Sequence, residues 1–414
     1  MVLTAGPLLV RDFEDTMSTT TIIRKPDAAK SESAVGFQLP FDLVLVLATA
    51  GLAICSVLTI AAATATDVPG SPDYFVVRQL VYFGVGGLLA VALWRTDYSR
   101  LRELKYFFYG ALILSILTVI AFGSVARGSR RAIDLPLFSF QASELGKVLL
   151  VVSLSAFTID MTRRAADSRT TARLVAIGLA PAALVMLQPD LGSALVFVAI
   201  TATILFIAGV PWQHFAAAGA VAVAAVVLAL AVLPSAGINV LHSYQKDRLT
   251  AFLHPSETSG REGYQQNQSR IAIGSGEKTG RGASATQTKY NFLPEHHTDF
   301  IFAVVGERWG FAGAALVLSL YALMIWRALR ILTMAKNLYG ALLAGGIVAM
   351  LMFQVFVNVG MTVGIMPITG IPLPLMSYGG SSLIATMLAV GLLQSIYAQG
   401  RNAAMSQGRV LTFQ

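Results

Sequence analysis

Two carboxylates and two imidazoles lie close together in the segment Phe292-Leu-Pro-Glu-His-His-Thr-Asp-Phe300. Carboxylates and imidazoles can both act as general acids or bases, and both can bind metal ions. The segment joins a polar loop to an apolar run. Ionisable residues at that depth usually mark function, because they are costly in a bilayer. Asp299 is therefore the first candidate for a catalytic group.

Two other interpretations of this segment stay open on the residues alone. Glu295 and Asp299 could cap the helix that begins near Phe300, because acidic side chains favour the positive end of a helix. The two acids and two histidines could instead bind a metal ion. Adjacent histidines do not easily point toward one ion, so we predict that these residues bind no metal.

The motif Ser143-Glu-Leu-Gly-Lys147 places opposite charges at the start of another apolar run. Positions three apart share one face of a helix, so Glu144 and Lys147 can form an ion pair. A pair can persist in a bilayer, whereas either charge alone would be costly. We interpret the two residues as a structural pair that anchors the helix, with direct ligand binding by one of them as the alternative.

A long polar loop contains Gln268-Ser-Arg-Ile-Ala-Ile-Gly-Ser-Gly276 and Gly280-Arg-Gly282. Glycine allows a backbone to approach closely, and exposed amides with arginine suit a phosphate or a sugar. The alternative is an ordinary loop with turn glycines. A separate short loop carries Arg127, Arg130 and Arg131 on the side that loop charges place outside the membrane. Basic residues are unusual in a short outer loop, so they indicate an anionic ligand.

Two further segments contain turn residues near apolar runs. In Gln188-Pro-Asp-Leu-Gly192, Asp190 could do no more than form a turn. The stretch from Gly364 to Ser382 is rich in Pro and Gly at membrane depth. Irregular backbone is tolerated there only inside protein or beside a cavity, so we predict that this stretch is a re-entrant wall beside the site.

Membrane-spanning helices must position these residues. The chain is 55% hydrophobic and 13% charged, well below the roughly 25% charged residues of a soluble domain. Apolar runs near 20 residues satisfy their backbone in hydrocarbon only as helices. We predict an all-α polytopic integral membrane protein with one large outer loop at about 236–298 and about ten spans. These spans are 41–63, 74–94, 105–123, 143–160, 172–189, 192–210, 214–234, 299–326, 340–364 and 381–398.

The loop charges predict the orientation of these spans. The loops after spans two, four and eight carry basic residues such as Arg95, Arg163 and Arg327, whereas the loops after spans one, five and nine carry none. Because basic residues are retained inside, both termini are predicted to be cytoplasmic. Residues 1–40 are predicted to be a disordered tail, residues 41–400 the transmembrane domain, and residues 401–414 a second tail.

Composition excludes several other classes of protein. The net charge of +8 is explained by loops held inside the membrane, so we predict no nucleic-acid binding. Cys55 is the only cysteine and can form no intrachain disulfide. We expect no cleavable signal peptide, because about forty mostly polar residues precede the first apolar run.

Several stretches taken together resemble the SEDS family (shape, elongation, division and sporulation), the group of RodA and FtsW. The segments Ala272-Ile-Gly-Ser-Gly276 and Phe292-Leu-Pro-Glu are more similar to RodA. The matching stretches are Phe140–Glu144, Gln188–Gly192, Gln268–Gly276, Phe292–Phe300, and Gly370-Ile-Pro-Leu-Pro with Ser377–Ser382.

The resemblance implies the SEDS fold and a peptidoglycan glycosyltransferase that polymerises lipid II during cell elongation and shape maintenance. It also implies a class B penicillin-binding protein and other elongation proteins as partners, and an active site on the outer face of the bacterial cytoplasmic membrane. By resemblance, Asp299 is the essential outer-face aspartate, and Glu144 and Lys147 match the family's paired residues. The predicted substrate-binding residues are Arg131, Glu144, Lys147, Asp190, Arg248, Gln268, Ser269, Arg270, Gln287, Glu295, His297, Thr298 and Ser377.

Lipid II carries a pyrophosphate, which leaves readily without a general acid, so one base and one source of positive charge suffice. We predict that Asp299 deprotonates the acceptor sugar hydroxyl in an inverting displacement. Cations from Arg131, Arg248, Arg270 and Lys147 would neutralise the pyrophosphate. We expect no tightly bound cofactor, with Mg²⁺ or Mn²⁺ as an assisting cation. A transporter that flips the lipid-linked precursor and a non-enzymatic scaffold are the alternatives.

Overall fold

The computed structural model describes residues 40–65, 67–126, 129–134, 139–161, 167–228, 261–290 and 292–406. The predicted N-terminal tail, Arg248 and the first part of the predicted large loop lie outside these residues. The long helices are α1 (Leu43–Thr64), α2 (Tyr74–Arg95), α3 (Lys105–Phe122), α4 (Ala142–Met161), α5 (Ser168–Leu187), α6 (Leu191–Ile207), α7 (Trp212–Val227), α8 (Arg261–Ser275), α10 (Ile301–Met334), α11 (Leu338–Val363) and α12 (Gly380–Ser406), with the short helix α9 (Thr286–Lys289) before α10.

Each of the ten predicted spans coincides with a helix among the residues that the structure describes. Eight of them, α1 to α5 and α10 to α12, are long and apolar enough to cross a membrane. The remaining two, α6 and the described part of α7, have 17 and 16 residues. The last helix continues to Ser406, beyond the predicted end of its span at residue 398.

Helices α4, α11 and α12 form the centre of the bundle. About four-fifths of the apolar stretch of each is buried, 83%, 78% and 78% respectively, against 17% in α3 and 22% in α2. The peripheral helices expose large apolar side chains such as Leu88, Phe107 and Phe206. Such exposed apolar faces suit lipid as the surrounding solvent.

A small antiparallel sheet follows α3, which the sequence did not predict. Its strands are β1 (Ser124–Ala126), β2 (Ser129–Asp134) and β3 (Ser139–Phe140), in the order β1-β2-β3. Ala132 pairs with Ser124, and Ile133 pairs with Phe140. The strands are too short to give an alternating apolar pattern. The sheet places Arg131 at the end of the bundle where α3 ends and α4 begins.

The described loops meet at two ends of the bundle in the grouping that the loop charges predicted. At one end, Arg131 on β2 donates to the carbonyl of Pro189 between α5 and α6, and Ser381 on α12 donates to the carbonyl of Ser139 over 2.9 Å. At the other end, Arg327 on α10 forms an ion pair with the buried Asp42 that caps α1. We call the end that carries Arg131 and Asp299 the site end.

Helix α10 is broken at Gly310, whose φ of 63° is non-helical. The turn after α8 fills the break, because the amides of Phe311 and Ala312 donate to the carbonyls of Glu277 and Lys278 over 2.9 and 3.1 Å. Gly276 and Gly280 approach the backbone of α10 so closely that a side chain would clash with it. The close approach that these glycines allow is therefore to protein backbone. Residues 268–275, which were expected to lie in a loop, belong to helix α8.

Candidate active site

The backbone around Asp299 is held at three consecutive carbonyl groups. The carbonyl of His297 accepts from the amide of Tyr378 over 2.9 Å, and that of Thr298 accepts from Ser377 Oγ over 2.6 Å. The carbonyl of Asp299 accepts from Asn358 Nδ2 over 2.9 Å. These donors come from the segment 364–379 and from α11. We call residues 297–299 with Ser377, Tyr378 and Asn358 the carbonyl clamp.

The clamp fixes the backbone from which the Asp299 side chain extends. Asp299 is half-buried, and its Oδ2 lies 3.5 Å from the position that a methyl group on Gly370 would occupy. Gly370 has a φ of +73°, a conformation that glycine adopts readily. The predicted wall from Gly364 to Ser382 therefore has irregular backbone up to α12 and lies directly beside Asp299.

The capping alternative for Asp299 and Glu295 concerns the start of α10. The N-cap residue of α10 is Phe300, and the structure gives it no side-chain capping hydrogen bond. Glu295 instead organises the preceding turn, because its carbonyl accepts from the amides of Thr298 and Phe300, both over 3.2 Å. Its carboxylate accepts from Thr298 Oγ1 over 3.0 Å. Glu295 and Thr298 thus shape the approach to Asp299.

The two histidines face a residue from a distant loop. His296 Nε2 lies 3.2 Å and His297 Nδ1 lies 3.9 Å from Asp67 Oδ2, in the loop between α1 and α2. The His297 ring packs against Phe75 with ring centroids 4.9 Å apart. It also packs against Tyr378 at 5.9 Å. Burial raises the pKa of Tyr378, which keeps its phenol protonated.

Glu144 and Lys147 form the predicted ion pair, with Nζ and Oε1 2.7 Å apart and side chains that are 2% and 1% exposed. Both lie in the first turns of α4, near the site end. A buried pair of this kind neutralises its own charges. The structure thus confirms the pairing, and it leaves Lys147 buried rather than exposed to an anion.

Asp190 is buried and caps α6, where its Oδ1 accepts from the amide of Ser193 over 3.0 Å. Its other oxygen lies 3.4 Å from Ser143 Oγ at the start of α4. Arg131 donates to the neighbouring carbonyl of Pro189. Arg131 Nε is buried without a hydrogen-bond partner among the described residues. Asp190 therefore joins two helix ends beside the Arg131 guanidinium.

The predicted residues on α8 divide between its two faces. Gln268 and Arg270 line a shallow groove with Tyr264, Asn267 and Ile271. Arg270 also packs on Gly364, at the start of the wall. Ser269 points the other way, is fully buried, and donates to the carbonyl of Thr362 over 2.8 Å. Ser269 therefore anchors α8 to α11, while Gln268 and Arg270 remain open to a ligand.

Gln287 lies at the start of α9, where the carboxylate of Glu307 accepts from its amide over 2.8 Å. Glu307 also accepts from the amide and hydroxyl of Thr288 over 3.2 and 2.6 Å. Glu307 is fully buried in α10. It ties α9 to the helix that follows Asp299, although sequence reasoning assigned it no role.

Asn358 and Asp67 are the other residues near the site that sequence reasoning missed. Asn358 is a polar side chain inside an apolar run, and such residues by default mark function, so a signal was present. Asp67 carries no comparable signal, because its contacts are with residues more than two hundred positions later in the chain.

Fold and site together define a multi-pass membrane protein with a half-buried carboxylate at one end of a helical bundle. Residues 38–402 match the family of FtsW, RodA and SpoVE, described as "Cell cycle protein". The chain belongs to this family, which confirms the resemblance found in the sequence.

Several relatives cover most of the chain. The peptidoglycan glycosyltransferase MrdB of Escherichia coli K12 is 34% identical over 366 residues, covering 88% of this chain and 95% of that protein. Stage V sporulation protein E of Bacillus subtilis is 33% identical over 371 residues, covering 87% and 98%. The peptidoglycan glycosyltransferase RodA of Treponema pallidum is 34% identical, covering 78% and 89%.

Solved structures share the fold. A chain from a peptidoglycan synthase complex that coordinates polymerization and crosslinking is 32% identical with a TM-score of 0.71, covering 88% of this chain and 99% of that chain. The rod shape determining protein RodA of Thermus thermophilus is 29% identical with a TM-score of 0.61, covering 87% and 98%.

Proposed function

We propose that this chain is a peptidoglycan glycosyltransferase that polymerises lipid II, with Asp299 as its catalytic base. The observation that carries the proposal is the carbonyl clamp, which fixes the backbone that bears a half-buried carboxylate. Relatives named peptidoglycan glycosyltransferases support the reaction class. A fixed carboxylate is what proton abstraction requires, because a general base must stay within hydrogen-bond reach of the proton that it removes.

The proposed reaction is an inverting displacement. The acceptor hydroxyl of a GlcNAc residue attacks the anomeric carbon of the donor MurNAc, and its proton passes to the carboxylate of Asp299. The bond between the anomeric carbon and the pyrophosphate oxygen breaks, and the lipid pyrophosphate leaves with the electron pair. The new bond is a β-1,4 linkage. No general acid is needed, because the pyrophosphate is stable as an anion.

The surroundings of each basic residue reduce the number of candidates for binding the pyrophosphate. Arg270 is exposed beside the wall, and Arg131 is half-buried at the site end. Both guanidinium groups can donate to phosphate oxygens. Lys147 instead stabilises Glu144 within the bundle. We therefore assign pyrophosphate binding to Arg131 and Arg270, with Arg248 as a further candidate outside the described residues.

The remaining substrate contacts follow from exposure near Asp299. Gln268 beside Arg270 can bind a sugar or peptide group, and His297 and Thr298 directly precede the base in sequence. Mg²⁺ or Mn²⁺ would add positive charge at the pyrophosphate, carried by the substrate rather than held tightly by the protein. Ser377, Asn358 and Glu295 position the base.

The setting of the reaction is also part of the proposal. The loop charges support an orientation with both termini inside and the site end on the outer face of the bacterial cytoplasmic membrane. The segments typical of RodA favour a role in elongation and shape maintenance. The likeness to a chain of a peptidoglycan synthase complex supports a class B penicillin-binding protein as partner, beside other elongation proteins.

The test is gel-resolved polymer formed from purified lipid II, with the purified chain and no transpeptidase. Wild type should give glycan strands, and Asp299→Ala should give none while remaining folded. Each protein is assayed with and without a divalent cation. Polymer from a folded Asp299→Ala protein would contradict the assignment of the base.

The same proteins distinguish the alternative functions. If the chain were a non-enzymatic scaffold, the wild-type protein would form no polymer in the absence of a separate synthase. A transporter would move lipid II across the membrane of liposomes, and its Asp299→Ala variant would move lipid II equally well. Glu144 and Lys147 neutralise each other inside the bundle. This pair therefore gives no specific support to a transport path.

A further inference from the structure

Three metal-binding side chains converge beside the carbonyl clamp. Asp67, His296 and His297 each offer a donor atom, and these atoms all lie within 4.8 Å of one another. Asp67 Oδ2 is 3.2 Å from His296 Nε2 and 3.9 Å from His297 Nδ1. The three side chains are 12%, 5% and 22% exposed, so the cluster is mostly buried but open on the side of His297.

The hydrogen bond of His296 leaves Nε2 as the ring nitrogen that can donate a lone pair to a metal. His296 Nδ1 lies 3.0 Å from the carbonyl oxygen of Leu293. A carbonyl oxygen can only accept, so Nδ1 carries the proton and Nε2 of the neutral ring carries the lone pair. A backbone carbonyl that fixes the tautomer and orientation of a histidine in this way is typical of metal ligands.

The lone pair of His296 Nε2 faces a carboxylate, and a positive charge must lie between them. A proton on Nε2 would satisfy both atoms only if the contact had the alignment of a hydrogen bond. The 3.2 Å contact lacks it, and His296 Nε2 and Asp67 Oδ1 are both buried without hydrogen-bond partners among the described residues. Two donor atoms can both bind an ion that lies to one side of the line between them. The misaligned contact is therefore the arrangement expected of metal ligands.

The Asp67 distances approach those of a divalent transition metal site, and the two imidazole nitrogens lie within 4.8 Å of each other. Bonds of about 2.0–2.1 Å at tetrahedral angles separate neighbouring ligands by roughly 3.3 Å. The contact of Asp67 with His296 has this length, and that with His297 needs to shorten by about half an ångström. The two imidazole rings meet edge to face at 78°. Because His296 uses Nε2 and His297 uses Nδ1, the adjacent histidines can reach one ion.

We propose that Asp67, His296 and His297 bind a divalent transition metal ion, with Zn²⁺ as the ion that two imidazoles and one carboxylate suit best. A water or substrate group completes the coordination from the open side. The ion cross-links the loop between α1 and α2 to the turn that carries Asp299. Its role is to position that turn, and binding of the ion does not depend on the proposed glycosyltransferase activity.

The experiment measures bound Zn²⁺ directly. The full chain is purified in detergent through a tag without histidine, dialysed against zinc and then against metal-free buffer, and analysed for metal per chain. Wild type should retain one ion. Asp67→Asn and His296→Gln should each lower the affinity by at least about 10-fold, while eluting as folded protein.

Matched controls separate this site from the rest of the chain. The sequence holds five histidines, and a variant with His214, His242 and His254 all changed to glutamine should keep the ion. Asp299→Ala should also keep it, which distinguishes this proposal from the catalytic one. Wild type that retains no zinc would overturn the site, as would loss of the ion from folded triple-histidine or Asp299→Ala protein. Either result would leave His296 as an ordinary partner of Asp67.

Discussion

At the scale of single residues, the position of Asp299 depends on the backbone on either side of it. Three carbonyl groups in a row are held by Tyr378, Ser377 and Asn358, from two different parts of the fold. A catalytic carboxylate loses much of its effect if it moves by about 1 Å. The residues that hold this backbone should therefore affect the polymerisation rate without touching the substrate.

Asn358 is the donor whose loss should show this most clearly. Asn358→Leu removes the hydrogen bonds to the carbonyls of Asp299 and Ile371, which are 2.9 and 2.8 Å long. We expect a loss of about 1–3 kcal/mol in the free energy of unfolding. We also expect a fall of about 100-fold in the polymerisation rate of the folded protein, the scale that such misplacement produces. The rate is measured on lipid II, and stability by thermal unfolding.

Gln394→Leu is the matched control for this change. Gln394 also forms two buried hydrogen bonds, with the amide and carbonyl of Asp42, over 2.8 and 3.0 Å at the opposite end of the bundle. It should lose a similar amount of stability and keep its polymerisation rate per folded molecule. Equal losses of rate in both variants would contradict a positioning role for Asn358.

Gly370 allows the wall to approach Asp299. Gly370→Ala forces a side chain into the left-handed region, at about 1–2 kcal/mol, and places a methyl group beside the carboxylate. Gly209→Ala is the control, because its φ is +81° and no atom lies within 4 Å of the added methyl. We expect similar losses of melting temperature, with a loss of activity in Gly370→Ala alone. Full activity in a folded Gly370→Ala protein would show that the wall is not part of the active site.

At the scale of elements, the sequence predicted the helices well, because each long apolar run has only one stable backbone conformation in hydrocarbon. It predicted neither the sheet of β1 to β3 nor the break at Gly310. The strands are too short to show periodicity, and the break depends on the turn after α8. The grouping of Asp67 with His296 likewise required knowledge of which loops meet.

The ion pair on α4 was predicted because its spacing is local. Glu144→Ala should destabilise the protein by about 3–5 kcal/mol, since it leaves Lys147 as a buried unpaired charge. The double variant Glu144→Gln with Lys147→Met should recover most of that loss, because no charge remains. Thermal unfolding measures both. A stable Glu144→Ala protein that cannot polymerise would favour direct ligand binding over the structural role.

At the scale of the whole molecule, the structure places the loops in two groups, and the charges predict which group faces outward. Cys55 is the only cysteine, so a Cys55→Ser background allows single-site labelling in intact cells. Ser284→Cys at the site end should react with a membrane-impermeant maleimide, and Glu103→Cys at the other end should react only after lysis. Both positions are exposed. The reverse pattern would place the site in the cytoplasm and rule out the proposed outer-face reaction.

The most direct test of the account is single-turnover polymerisation of lipid II by wild type and Asp299→Asn, each purified without a partner. Asparagine keeps the size of the side chain and the carbonyl clamp, but it cannot accept the proton of the acceptor hydroxyl. We predict that Asp299→Asn folds with an unchanged melting temperature and binds lipid II, yet forms no polymer. Polymer formation at the wild-type rate by Asp299→Asn would contradict Asp299 as the base.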